Sequence, residues 1–301
     1  MSEWINPVLQ GVLLGGYYSL IACGLAFMFQ VMRIINLAHG SLAVMAGFAL
    51  WVLADRFGIN PFLSLVAVLP AMAVVGWILQ RAVLDRSARV GILVPILATF
   101  GLAVVIDNLL FQHFGADTRS LAPYIGSLSW SSWPVGGGLY VGKLAALIFA
   151  VAVGLLVGLS LFLSRTRLGR AIRATAEDPD TAGLIGINAR RVNAVATAIA
   201  MVTVGIAGMF LGMRATFSPY SGAAQLIFAF EATVIGGPGS LWRTLGGGIV
   251  LGVSQTVGAK FSPQGFLIAG HLVFLVVLVA RVSLGSFRVG GLTAWLRRLP
   301  A

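Results

Sequence analysis

The chain of 301 residues is 58% hydrophobic and only 10% charged, and its mean hydropathy is +0.97. An ordinary soluble domain carries about 25% charged residues, so this composition excludes a soluble globular fold. The net charge of +11 does not indicate nucleic-acid binding, because the arginines lie in short connections between apolar runs, where they favour the cytoplasmic side of a membrane.

Eight apolar runs follow one another along the chain. A helix needs about 20 apolar residues to cross the hydrocarbon core of a bilayer, whereas a barrel strand needs about 10 residues of alternating polarity. These runs are apolar on all faces, so we predict an all-α integral membrane protein, a single domain over residues 1–301 with about eight transmembrane helices in a polytopic bundle. The runs cover residues 4–32, 34–54, 57–80, 90–106, 144–164, 192–213, 244–259 and 261–280.

The first run is expected to be a retained helix. It is preceded by Glu3 rather than a basic cluster, and it exceeds the apolar core of about 7 to 15 residues in a signal peptide. Cys23 lies inside this run and is the single cysteine. It therefore forms no internal disulfide, and we expect a small packed core residue.

The connections predict the topology. Segment 165–191 holds six arginines against three carboxylates, which argues for the cytoplasm. By alternation, the N-terminus and loop 115–142 face outward, and loop 81–89 is cytoplasmic. The C-terminal tail should be cytoplasmic by the same rule, since it carries Arg281, Arg288, Arg297 and Arg298.

The stretch 226–243 is too short and too polar for a full span. It contains Glu231 and the sequence Gly-Gly-Pro-Gly-Ser at 236–240. An even number of crossings is required between the outward-facing ends of the flanking runs, so we predict a short or broken helix, a glycine-rich bend and a full returning helix. Irregular backbone at membrane depth is tolerated only beside protein or a water-filled cavity, so this segment points to a transport pathway.

Polar side chains inside spans are costly and are therefore candidates for function. A carboxylate at Glu231 could meet an ammonium group, or it could bind the amides of the bend. Asp107, placed toward the outer end of the fourth span, could line the pathway or anchor the helix at the interface. For His39 a local hydrogen bond is as well supported as substrate contact, and for His271 an interhelical hydrogen bond is favoured. The predicted pathway residues are Asn36, His39, Thr99, Asp107, Glu231, Gly236 and Gly237.

Two kinds of site are not expected. No histidine and carboxylate residues have metal-ligand spacing, so we predict no metal site. The glycines and lysine of 137–143 resemble a P-loop, but Leu144 stands where a Mg²⁺-binding hydroxyl is needed. The chain is therefore expected to have no nucleotide site and to form a turn there.

Small residues recur four apart at Gly11/Gly15, Gly154/Gly158, Gly208/Gly212 and Gly248/Gly252. Such spacing lets helix backbones approach closely in lipid. We expect these pairs to mark packing faces, either within the subunit or against a second one.

A capped helix is predicted inside segment 165–191. Asp178 can act as N-cap, Pro179 fits the first helical position, and Gly186 can end the helix. We expect this helix to present Ala182, together with the following leucine and isoleucine, to a groove of a partner. A solvated connector is the alternative.

The combination of four motifs resembles a known family, the permeases of branched-chain amino acid ABC importers of the Liv type, and specifically their H-type subunit. The motifs are Arg-Ile-Ile-Asn-Leu-Ala-His-Gly at 33–40, Ile-Leu-Ala-Thr-Phe-Gly-Leu at 96–102, the cytoplasmic loop at 169–188 and the stretch 228–240 with its bend. Similarity runs over nearly the whole chain.

The resemblance implies a permease that moves branched-chain or related amino acids across the bacterial inner membrane. It implies an M-type permease partner in a heterodimer, two cytoplasmic ATP-binding subunits that hydrolyse the ATP, and a periplasmic substrate-binding protein, with no cofactor on the chain itself. It also implies ATPase coupling through Arg170, Arg173, Glu177, Asp178, Ala182 and Gly186.

Other functions remain open at this point. Relatives with the same motifs handle urea or other small solutes. A polytopic membrane enzyme would cluster acids and bases at one depth, whereas here they are scattered over different segments. A passive channel would not need the capped cytoplasmic helix.

Overall fold

A computed structural model describes residues 2–91, 93–136, 138–237 and 239–296. Pro238 of the predicted bend, Gly137 of the rejected nucleotide motif, and Arg297 and Arg298 of the predicted tail lie outside these residues. The described part is almost entirely helical and contains one two-stranded antiparallel sheet.

Twelve α-helices are described. Local signals set several of their ends: the Asn60 side chain accepts a hydrogen bond from the backbone N–H of Phe62 at the start of α3, and Gly58 ends α2 in the left-handed conformation. A π-helical turn over Leu79–Leu84 joins α3 to α4. The helices are α1 (Ser2–Met32), α2 (His39–Phe57), α3 (Pro61–Ile78), α4 (Asp85–Ser87), α5 (Val94–Phe114), α6 (Lys143–Arg165), α7 (Arg167–Glu177), α8 (Pro179–Leu184), α9 (Ala189–Arg214), α10 (Gly222–Gly236), α11 (Leu241–Gly258) and α12 (Gly265–Leu296).

Seven of the described helical segments are long and apolar enough to cross a membrane, which confirms the predicted all-α polytopic membrane protein. They belong to α1, α2, α3 with the π-helical turn, α5, α6, α9 and α12. The predicted run at 244–259 forms α11, of 18 residues. The predicted short helix is α10, of 15 residues.

The fourth span differs from the prediction. The apolar run was expected to end at residue 106, but α5 continues to Phe114. One carboxylate did not stop the helix, which continues through a mixed stretch of apolar and polar residues and ends at the C-cap Gly115. Asp107 therefore lies inside α5, past its midpoint and before the final stretch that ends at Phe114.

Helix α1 is the centre of the bundle. It packs against α6, α9, α10 and α11, and 78% of its most apolar window is buried. Helix α12 is peripheral, with only 6% of its window buried. The core is thus built around the first span, and the last span lies at the edge of the subunit.

Two of the predicted glycine pairs form the contact between α1 and α11. Gly11 and Gly15 lie against Gly248 and Gly252, and a Cβ atom on any of these four would overlap the facing helix. Small residues are therefore required at this crossing, as the spacing predicted.

The other two pairs behave differently. Gly208 lies against the backbone of Ala43 in α2, and Gly212 contacts Leu121 of the loop between α5 and α6. Gly154 and Gly158 in α6 have no described neighbour within 4 Å of an added Cβ. Their face of α6 is free within the described subunit.

The loop between α5 and α6 holds structure that the sequence analysis missed. Strands β1 (Ser132–Gly136) and β2 (Leu139–Gly142) form a hairpin where only a turn was expected. Tyr124 in the same loop donates a hydrogen bond to Asp55 at 2.8 Å. This bond is the main cause that raises the pKa of the Tyr124 hydroxyl.

Candidate functional site

The connector after α1, residues 33–38, returns into the depth of the bundle. It starts with Arg33, a non-glycine residue at φ 56°. At its end the His39 Nε2–H donates to the Ile21 carbonyl at 2.7 Å. Ile21 lies well before Met32, the last residue of α1. The helix between these two residues is about 16 Å long, at 1.5 Å per residue. Helix α2 therefore begins well inside the length of α1.

Three predicted pathway residues hold this connector in place. The Asn36 side chain accepts from the Ala38 N–H at 3.0 Å. The Thr99 hydroxyl accepts from the Leu37 N–H at 3.0 Å and donates to Pro95 in its own helix at 2.8 Å. Asn36, Thr99 and His39 are all fully buried. The structure brings these three residues together, and each makes a local structural bond.

Helix α10 begins beside the start of α2. A Cβ atom on Gly40 would overlap the Gly222 carbonyl, and a Cβ atom on Gly222 would overlap Ser41. The two helices are therefore in direct contact here. Gln225, one turn along α10, accepts a hydrogen bond from the Tyr17 hydroxyl of α1 at 2.6 Å. Tyr17 lies halfway along α1. The two helices thus start at about the same depth, near the middle of the bundle.

Asp107 lies at this meeting point. Its carboxylate lies beside the Ser41 hydroxyl, and its buried Oδ1 atom has no partner among the described residues. The side chain is only partly buried. We call His39, Gly40, Ser41, Asp107 and Gly222 the helix-start junction.

The chemistry of the helix-start junction suits a zwitterion. The first N–H groups of a helix lack intrahelical partners and carry partial positive charge, which favours a carboxylate. Asp107 supplies the opposite charge for an ammonium group. Both features occur at one place because α2 starts there, beside the point where the Ser218-capped 3₁₀ turn Pro219–Ser221 continues into α10.

Glu231 lies farther along α10 and has a definite partner. Its Oε1 atom is 2.5 Å from His271 Nδ1 of α12. The side chain of Glu231 is 3% exposed, whereas that of His271 is 44% exposed. The Glu231 Oε2 atom is buried without a described partner. His271 thus makes an interhelical hydrogen bond, and Glu231 ties α10 to the peripheral helix.

Gly236 and Gly237 are explained by close packing at the end of α10. A Cβ on Gly236 would overlap the Arg243 carbonyl of α11. Gly237 adopts φ 91°, and the Arg281 guanidinium lies beside it while donating to the Ile235 carbonyl at 2.9 Å. This bond satisfies one of the free carbonyls at the helix end.

The predicted capped helix in segment 165–191 is α8. The Asp178 Oδ1 atom accepts from the backbone N–H groups of Asp180 at 3.0 Å and Thr181 at 3.2 Å, and Oδ2 accepts from the Thr181 hydroxyl at 2.5 Å. These bonds to Thr181 lower the pKa of Asp178. Gly186 follows the helix in the left-handed conformation, at φ 83°. The signals in the sequence therefore set both ends of α8.

The exposed face of α8 differs from the expectation. Leu184 and Ile185 are 87% and 73% exposed, but Ala182 is only 3% exposed. At the end of α8 the Ile187 N–H donates to the Ala182 carbonyl at 3.1 Å, a local bond that closes the helix. The surface offered to a partner is thus the leucine and isoleucine pair.

The remaining predicted coupling residues lie on α7, an 11-residue helix that the sequence analysis did not anticipate. Arg170 is exposed and donates to the Arg165 carbonyl at 3.4 Å. Arg173 faces a cavity shared with Trp242 of α11. Glu177 is exposed at the end of α7, next to the hinge with α8.

Comparison with known proteins decides the family. A family model described as the permease component of the branched-chain amino acid transport system matches residues 8–282. The chain belongs to this permease family.

Two relatives are similar over nearly their whole length, and a third over about a third of its length. The high-affinity branched-chain amino acid transport system permease protein BraD of Pseudomonas aeruginosa is 29% identical over 289 residues, which cover 92% of this chain and 94% of BraD. The corresponding protein LivH of Escherichia coli K12 is 28% identical, with 92% and 93% covered. LivM of the same organism is 34% identical over 137 residues, 44% of this chain and 32% of LivM. No solved structure matches.

Two polar residues of the permease, the buried Gln255 and the half-buried Gln225, were missed by the sequence analysis. Gln255 is fully buried, and its Oε1 atom accepts a hydrogen bond from the Tyr18 hydroxyl. Gln225 pairs with Tyr17 in the same way. The available signal was an amide side chain inside an otherwise apolar segment, but the sequence alone does not tell which tyrosine it meets.

Proposed function

We propose that this permease is the H-type subunit of an ABC importer that moves branched-chain amino acids across the bacterial inner membrane. The match over residues 8–282 and the coverage of 92% by BraD and LivH are the observations that support it. In this proposal the chain catalyses no reaction and carries no cofactor. ATP is hydrolysed by two cytoplasmic subunits, and a periplasmic binding protein delivers the substrate.

The proposed orientation follows the charges. Segment 165–191 lies in the cytoplasm, the N-terminus lies outside, and the C-terminus is cytoplasmic. The second permease is M-type, and the partial similarity of this chain to LivM supports two related subunits. The free glycine face of α6 and the peripheral α12 leave apolar surfaces for lipid or for this partner.

The proposed substrate contact is the helix-start junction. The substrate carboxylate is held by the starts of α2 and α10, and the ammonium group is held by Asp107. An apolar cavity of about 200 Å³ lies farther along α10, between Phe230 and Leu25 of α1. This cavity suits the aliphatic side chain as the substrate moves inward.

Coupling is proposed to run through α7 and α8. The exposed Leu184 and Ile185 dock on an ATPase, while Asp178 and Gly186 stabilise the two ends of α8. Motion of the ATPase then reaches α9, because α8 packs on its start.

The first test is expression of the chain with its neighbouring genes, followed by purification. Co-purification of an ATPase and ATP-dependent uptake of labelled leucine are expected. An ATPase that never co-purifies contradicts the importer, and uptake of labelled urea without leucine contradicts the substrate.

The substrate contact is tested with Asp107→Asn. Loss of one charge-assisted hydrogen bond of about 1.5–3 kcal/mol predicts about a 10- to 100-fold lower uptake efficiency for leucine. Asp117→Asn is the matched control, because Asp117 is an exposed loop carboxylate. Equal uptake by the two variants contradicts the role of Asp107.

A further inference from the structure

A second cavity lies on the side of segment 165–191. Its volume is about 440 Å³, within the range of small-molecule sites. Its walls come from the end of α1, the π-helical turn and α4, the hinge between α7 and α8, and the start of α9. It therefore touches both the bundle and the segment proposed to meet the ATPase.

Charges of both signs line this cavity, which we call the hinge cavity. Arg33, Arg89 and Arg190 contribute positive charge, and Asp85 and Glu177 contribute negative charge. Asp85 already accepts a hydrogen bond from the Gln80 side chain at 2.7 Å. Across the described residues, no ion pair within 4 Å involves any of these three arginines or Glu177.

Two buried polar atoms of the hinge cavity also lack partners. Thr175 is only 4% exposed, and its hydroxyl has no hydrogen bond among the described residues. The buried Oδ1 atom of Asn193 is likewise unpaired. A buried polar atom without a partner costs about 1–3 kcal/mol. The residues that carry these two atoms line the cavity on α7 and α9, so a ligand that reaches the two atoms would complete the site.

The unpaired groups form two complementary sets. The three guanidinium groups and the Thr175 hydroxyl can donate to a carboxylate, and guanidinium groups bind carboxylates well. The Glu177 carboxylate and Asn193 Oδ1 can accept from an ammonium group. A simple phosphate would face two carboxylates, whereas a molecule with both charges uses both sets.

The rest of the wall is apolar. It is formed by Val31, Met32 and Ile34 near the end of α1, with Ala176 and Pro179 at the hinge. Such a wall suits an aliphatic group attached to the zwitterion. The lining thus matches the carboxylate, the ammonium group and the aliphatic side chain of an α-amino acid.

We propose that the hinge cavity is a regulatory site for an aliphatic amino acid from the cytoplasm. The bound molecule joins the hinge between α7 and α8 to the end of α1 and the start of α9. It thereby restrains α8 and slows import when the product accumulates inside. This inference rests on the proposed orientation and importer function.

Binding is measured with the full chain in nanodiscs of phosphatidylcholine and labelled leucine. Arg190→Gln should weaken binding about tenfold or more, the loss of one charge-assisted bond. Arg191→Gln, the neighbouring arginine outside the cavity, should bind as the unchanged chain does. If the two variants bind leucine with equal affinity, the proposed site is overturned.

Competitors identify the ligand chemistry. The proposal predicts that 4-methyl-2-oxopentanoate, which lacks the ammonium group, and 3-methylbutylamine, which lacks the carboxylate, compete far less well than leucine. Competition by inorganic phosphate, or by anionic phosphatidylglycerol in the nanodisc, at the potency of leucine would show a plain anion site instead and overturn the proposal.

Regulation is measured in proteoliposomes of the whole importer, filled with or without leucine. Internal leucine should lower the initial rate of uptake several-fold, and Arg89→Gln should remove this effect, whereas Arg86→Gln, outside the cavity, should keep it. Uptake that depends on ATP but ignores internal leucine overturns this inference alone. Absence of ATP-dependent uptake without internal leucine contradicts the proposed function itself.

Discussion

Tyr18→Phe tests the buried hydrogen bond between α1 and α11. The substitution removes the hydroxyl that donates to Gln255 Oε1. Gln255 is fully buried and its Nε2 atom already lacks a partner among the described residues, so the whole amide would then be unsatisfied. The structure offers no other described group to take the place of the hydroxyl.

The loss of stability has two contributions, the lost hydrogen bond and the buried amide that is left without a partner. An interhelical hydrogen bond in a membrane protein contributes about 0.6 kcal/mol on average and at most about 1.7, and a newly unsatisfied buried group adds to the loss. We expect Tyr18→Phe to destabilise the protein by about 1–2 kcal/mol, which lowers the unfolding midpoint of a chain of this length by about 2 to 3 °C.

The chain carries its own probe for this measurement. Cys23 is the single cysteine, it lies on α1 close to Tyr18, and it is fully buried. A thiol-reactive dye therefore labels the protein only as α1 becomes exposed, and the labelling curve against temperature gives the midpoint.

The double variant Tyr18→Phe with Gln255→Leu provides the control. Replacement of both partners by apolar groups of similar shape should recover most of the lost stability, because no polar atom is then left unpaired. The stabilising role of this hydrogen bond is refuted if Tyr18→Phe leaves the unfolding midpoint unchanged, or if the double variant is less stable than both single variants.

Three further predictions concern packing and coupling. Gly248→Val should abolish the monodisperse peak in size-exclusion chromatography, because a Cβ there would overlap α1, whereas Gly246→Val, with open space around it, should keep the peak; equal profiles would contradict the packing. Asp178→Ala should speed amide hydrogen exchange in α8, whereas Asp178→Asn should retain the cap. Since the folded pKa of Asp178 lies below its usual value, the cap should be present above about pH 4 and be lost as pH falls through that lowered pKa; faster exchange at neutral pH in the asparagine variant would contradict this. Leu184→Glu should leave membrane insertion intact but reduce leucine-dependent ATP hydrolysis several-fold, with Leu184→Met as the control, and normal coupling in the glutamate variant would contradict docking through this face.

The structure changes which acidic residue is best suited to meet substrate. From its position beside the bend, Glu231 was predicted to meet an ammonium group or the amides of the bend, but its side chain is covered and bonded to His271. Asp107 is partly open and lies where two helices start. The difference arises because burial and partners depend on the neighbouring helices, which the position within one run does not reveal.

Local patterns were sufficient for the membrane class and for the ends of α8. An apolar run of about 20 residues is expected to form a membrane-spanning helix, because in lipid every backbone group must be hydrogen-bonded within the segment. Capping by Asp178 and Gly186 was also predictable, because it involves residues within a few positions of one another.

Contacts between distant segments were decided by the tertiary structure. The return of the connector to the level of Ile21 and the pairing of Glu231 with His271 join parts of the chain that no local pattern relates. The same holds for the four glycine pairs, which look alike in sequence although only some of them meet another helix. A span's length and polarity are properties of the segment itself, whereas the neighbour of each face depends on how all the helices pack together.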